Sequence, residues 1–176
     1  MIAGGDYVAC ICEGSAENAI MDILLEHEML IFDQMQLLEG EIIRSRSAKQ
    51  FETRFLRKGF NKKITVLRIL DSRNENFKLS KAYKGKVSVI DIITAPEIEM
   101  LIILSENKYN EYKKSDKKPS DFCKMDLNCG NVKSYDFVRN HFKDINKLTS
   151  SIREYKRMSK IKKGEYTLFD LLKYIN

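Results

Sequence analysis

Tyr7-Val8-Ala9-Cys10-Ile11-Cys12-Glu13-Gly14-Ser15-Ala16-Glu17 is the stretch that decides the fold class of this chain. Residues 7–12 form an apolar run of strand length, stopped by Glu13-Gly14. A helix is expected at once, with Ser15 as its N-cap and Ala16, Ala19, Ile20, Ile23 and Leu24 recurring at helical spacing. Strand, tight glycine turn and helix open a βαβ unit, whose next strand runs parallel to the first.

Further along the chain, residues 63–70 (KITVLRIL) are the clearest strand, with Ile64, Val66 and Arg68 on one face, and they end in Asp71-Ser72-Arg73. Residues 86–93 (KVSVIDII) form another strong strand, and residues 29–33 (MLIFD) read as a shorter one. Ser47 to Gln50 has the form of a capping box and opens a helix to about Lys58, which Gly59 ends. Thr94-Ala95-Pro96-Glu97 is a second such box, with proline in the first turn. It predicts a helix from about Pro96 to Tyr112 that is apolar at first, through Ile98, Met100, Leu101, Ile102 and Ile103. Beyond Ser115 strand-like alternation stops, and helical patterns occupy 132–145, 147–159 and 167–175. The fold class expected is α/β: a mainly parallel sheet flanked by helices over residues 1–118, with a helical C-terminal extension over 119–176 packed on it.

Hydrophobic residues make up 43% of the 176 positions, enough for a core at this length. No run of about 18 apolar residues occurs, and Met1-Ile-Ala-Gly-Gly-Asp lacks the basic and apolar regions of a signal peptide, so no membrane partner and a cytoplasmic location are expected. Cys10 and Cys12 share one face of a strand, and the spacings C-x-C and C-x₅-C do not suit zinc, so buried free thiols are expected. His27 and His141 lack the neighbours of a triad or metal set. Net charge is +6, concentrated in Lys113–Lys118 and in Arg153–Lys163. The second run, with Lys156, Arg157 and Lys160, suits a phosphate backbone, although a solvated helix face has the same composition.

Acids stand after the carboxyl ends of the expected strands, where open parallel sheets bind ligands: Glu13 after the first and Asp71 after KITVLRIL. Glu17 lies one helical turn beyond Glu13, and Glu99 sits among apolar neighbours, where a carboxylate is expensive unless paired or metal-bound. Converging carboxylates suit a hard divalent cation. A plainer reading stands beside this one: Glu13-Gly14 as a strand-to-helix turn, Glu17 as a first-turn acid, Asp71 as a turn former and Glu99 in an ordinary ion pair.

Cys12-Glu13-Gly14-Ser15-Ala16-Glu17 resembles the first motif of the Toprim family, and Asp71 after ITVLRIL resembles the second. Thr94 to Ile102 resembles the segment after the last sheet strand in RloB-like and OLD-type nucleases of that family, so the likeness covers about residues 6–105. It implies a Toprim-like fold and a metal-dependent nuclease acting on DNA or RNA, with Mg²⁺ or Mn²⁺ held by Glu13, Asp71 and Glu99. Glu17 or Glu99 would serve as base, and Arg73 would neutralise phosphate. It also implies a role in prokaryotic phage defence, with room for a protein partner or homo-oligomer. One departure stands out: the family's Asp-x-Asp is Asp71-Ser72-Arg73 here. A guanidinium cannot ligate a cation. Glu75 or Glu99 substitutes, Arg73 binds the scissile phosphate, or the site is inactive and the chain is a binding or regulatory module.

Overall fold

In the computed structural model, which describes residues 6–45, 47–57, 59–73, 75–94 and 98–173, three strands lie side by side and parallel. β1 (Tyr7–Cys12) pairs with β2 (Ile64–Leu70), and β2 pairs with β3 (Val87–Ile93). Every residue of β2 is buried, as expected of a central parallel strand covered on both faces. The side chains of Val8, Cys10, Cys12, Leu67, Ile69 and Ile92 enter one core. Those of Ala9, Ile11, Ile64, Val66 and Val87 enter a second. Period-2 alternation thus splits the strands between two hydrophobic layers, and the α/β class follows. Cys10 and Cys12 are buried free thiols on the first of these faces.

The first layer is formed by α1 (Ser15–Glu26), α3 (Met100–Ser105) and helices from the last third of the chain: α5 (Pro119–Met125), α6 (Tyr135–His141) and α7 (Ile145–Met158). α6 packs on α1, and α7 packs on α3. Ser134 caps α6 and Asp144 caps α7, each accepting a backbone N–H of the first turn. On the other face, α2 (Ala48–Phe51) widens into a π turn over Glu52–Leu56, which gathers Phe51 and Phe55 with ring centroids 5.2 Å apart and sets Phe51 against Phe77. Ser47 caps this helix by accepting from Gln50 N–H. No helix among the described residues is long and apolar enough to cross a membrane.

Several local expectations are corrected. Ser15 is the first residue of α1 and not its cap; the N-cap is Gly14, with extended backbone and no capping side chain. Residues 29–33 form no strand of the sheet. Leu30 makes a single antiparallel bridge to Leu172, and the free edge of β1 is covered instead by residues 37–43, through bridges at Leu37 and Ile43. The helix expected to run to Tyr112 is two helices, α3 and α4 (Tyr109–Lys113). They separate at Asn107, which takes φ of 56°, while Lys108 N–H returns to Ile103 C=O as in a Schellman turn. The capping box at Thr94–Glu97 falls partly on residues 95–97, outside the described residues. Thr94 itself donates its hydroxyl to Leu70 C=O, and Glu99 is the N-cap of α3. Within 167–175, the described residues form one 3₁₀ turn, Leu168–Leu171, opened by a Thr167/Asp170 capping box.

Candidate functional site

Cys12 and Ile69 are register partners at the ends of β1 and β2, so Glu13 and Asp71 leave the sheet from the same carboxyl edge. Glu17 in the first turn of α1, Asp71, Glu99 at the head of α3, and Lys133 from the loop before α6 line one cleft of about 100 Å³ there, with Gly14 and Ser15 on its rim. Glu17 bends back over the turn: a Cβ on Gly14 would stand 2.9 Å from Glu17 Cδ and overlap its Oε2. The glycine therefore provides both the tight turn and the room for the carboxylate. Burial pushes the Glu17 carboxyl above its ordinary value; its own backbone N–H pulls it down, Asp71 and Glu99 push it up further, and Lys133 opposes them. The Glu99 side chain is 2% exposed and meets Lys133 Nζ at 3.3 Å, whereas the Lys133 side chain is 61% exposed.

Glu13 does not line this cleft. Its carboxylate turns to Arg68, with Oε1 4.0 Å from the guanidinium. Arg68 lies on the opposite face of β2 from the cleft-side core, its side chain 3% exposed, and it also holds Glu75 at 2.7 Å and Asp91 at 3.2 Å. Its guanidinium stacks 4.9 Å above the Phe77 ring. A guanidinium taken out of water demands such company, and three carboxylates with an aromatic face supply it. Glu75, considered as a replacement acid, is occupied in this cluster.

Arg73 points away from the acidic cleft and makes a two-pronged pair with Glu165, at 2.8 and 3.2 Å. In the basic run, Lys156 pairs with Asp170 and Arg157 with Glu154, while Lys160 lines a separate cleft beside Arg73. His141 Nε2 stands 2.7 Å from Ser105 Oγ, but that hydroxyl donates to Ile102 C=O, so the pair is no activated nucleophile. The ring packs on Phe137, and burial, then Lys147, lowers its pKa.

The expected residues are therefore divided. Glu17, Asp71 and Glu99 come together; Glu13 faces Arg68, and Arg73 faces Glu165. Two positions that shape these clusters escaped the sequence. Lys133 lies in a polar loop with no pattern around it. Arg68 did carry a signal, as the lone charge within an otherwise apolar central strand.

Among the described residues, no group of three or more His, Cys, Asp or Glu side chains stands close enough to form a ready cage for a metal ion. The donor set nevertheless suits a hard cation: Mg²⁺ is commonly held by one or two carboxylates and otherwise by water and substrate oxygens. Compared with known proteins, the chain matches no family model, no curated protein and no solved structure.

Proposed function

We propose that the acidic cleft is the site of a Toprim-like, divalent-cation-dependent nuclease, the activity that the motif resemblance implies. The observation that carries this reading is the convergence of Glu17, Asp71 and Glu99, with Lys133, at the carboxyl edge of a parallel sheet. Asp71 and Glu99 are the residues that would hold Mg²⁺ or Mn²⁺; the ion, when bound, would supply Lewis-acid stabilisation of charge on the phosphate oxygens. Glu17, whose raised pKa makes its ionised carboxylate the stronger base, takes the proton of the attacking water. Lys133, exposed at its tip, turns from Glu99 to the incoming phosphate. A role in phage defence rests on the resemblance alone.

A second reading is a binding or regulatory module on the same scaffold, favoured by Arg73 standing where the family carries its second acid and by its engagement with Glu165. Calorimetric titration with Mg²⁺ and Mn²⁺, beside cleavage assays on single- and double-stranded DNA and RNA, separates the two. The nuclease reading expects cation-dependent cleavage that Asp71→Asn and Glu99→Gln each reduce by at least a hundredfold, with melting temperatures near wild type. Absence of both cation binding and cleavage leaves only the module.

A further inference from the structure

Beside the acidic cleft lies a larger one, of about 370 Å³, between α3, α4 and the end of α7. Tyr109 and Tyr112 line it, their ring centroids 6.3 Å apart, together with the thioethers of Met100 and Met158. Arg73 and Lys160 stand at the same cleft. Among the described residues Lys160 has no ion-pair partner, and the Ser159 hydroxyl in the wall is buried without a hydrogen-bond partner. Aromatic rings and polarisable sulfurs favour a flat aromatic guest, and Lys160 favours a guest bearing negative charge. The volume is within the range of small-molecule sites.

The position of this cleft narrows the choice. Asp71 and Arg73 are two residues apart on the segment leaving β2, and Glu99 and Met100 are consecutive at the head of α3; one member of each pair lines each cleft. A group stacked on the tyrosines that line this cleft is therefore next to whatever occupies the acidic cleft. We infer that the Tyr109–Tyr112–Met158 cleft receives a nucleobase of a single nucleic-acid strand whose neighbouring phosphodiester lies at Asp71 and Glu99, with Lys160 on the flanking phosphate. The inference rests on the nuclease reading for the second half of that statement only. Stacking a base on an aromatic side chain requires no metal and no catalysis.

The test uses the full chain in EDTA and fluorescence anisotropy with two single-stranded probes of one length, a normal oligonucleotide and one carrying abasic sites. Wild type should bind the normal probe at least about tenfold more tightly, Tyr109→Leu should erase that preference, and Tyr109→Phe should retain it. Lys160→Gln should flatten the salt dependence for both probes. Melting curves check that each variant folds; were Tyr109→Leu to unfold, the abasic comparison on wild type still decides. Equal binding of the two probes, no binding of either, or displacement by a free nucleoside monophosphate as tight as the oligonucleotide would each overturn the inference. Cleavage with Mg²⁺ that ignores Tyr109→Leu overturns it while leaving the acidic site intact. A base preference without any cleavage supports the inference and sinks the nuclease reading.

Discussion

Two clusters of opposite construction stand on the two faces of the same sheet. Around Arg68 the cation is buried and the acids reach water: the guanidinium is 3% exposed, and Asp91 beside it is 44% exposed. In the acidic cleft the arrangement is reversed, for Glu99 is buried and its lysine partner extends into solvent. A buried cation with three surrounding carboxylates is fixed; no other ion can replace it without dismantling the layer around Phe77. Buried carboxylates whose counter-charge hangs on a flexible, solvated side chain are different, because that counter-charge is exchangeable. Similar charges thus make a buried, fixed ion cluster in one case and a solvent-reaching ion pair in the other.

Arg68→Ala should break this contrast most visibly. It removes the only cation that the three acids share among the described residues and opens a void against Phe77, so urea denaturation should show a loss of about 3 kcal/mol, reduced from the fully buried case because Asp91 and Glu75 reach solvent. A loss under about 1 kcal/mol would mean that the cluster is not fixed. Lys133→Ala should have a smaller effect, about 1 kcal/mol, since the lysine side chain stands largely in solvent. Adding Glu99→Gln to that variant should recover most of the loss, and a double-mutant cycle reads the coupling directly. A loss as large as that of Arg68→Ala would show the lysine to be a fixed part of the fold.

The smallest effect concerns Glu17 and has a definite sign. Its carboxyl is held above the ordinary value of 4.5, so the folded chain binds this proton more tightly than the unfolded chain. The resulting stability is present at low pH and is lost as pH rises through the raised value. Glu17→Gln should therefore leave the melting temperature unchanged near pH 4 and raise it slightly at pH 7. Under the nuclease reading Mg²⁺ should shrink that gain, because a cation beside the buried carboxylate favours its ionised form. Thermal melts at both pH values, with and without the ion, check the sign; a fall at pH 7 would contradict it.

The parts of the fold legible in the sequence are mostly those governed by local pattern. β1 and β2 are largely apolar runs, and Ser47 is a helix cap whose hydroxyl accepts a nearby N–H, although Ser15, with the same side chain, lies inside its helix. Other misreadings arose where a distant partner decides. MLIFD has strand composition, but the place beside β1 is taken by Leu37 and Ile43, and Leu30 is left to meet Leu172. The break at Asn107 is local, yet asparagine within a helical run gives only a weak sign of left-handed backbone. At the site, Glu17, Asp71 and Glu99 were readable because strand ends and an isolated acid among apolar residues have physical meaning. Lys133 was unreadable, since its role depends on how α6 docks on α1.

Gly14 gives the molecule a separable handle. The atom that a side chain there would strike is the far end of a flexible glutamate, and the backbone at 14 is extended with φ of −99°, which any residue tolerates. Gly14→Ala would thus leave folding nearly untouched while swinging one carboxylate out of its seat. At this position a single methyl group relocates a carboxylate and spares the architecture, so a variant altered at a residue with no charge of its own can report on the charged one a turn away.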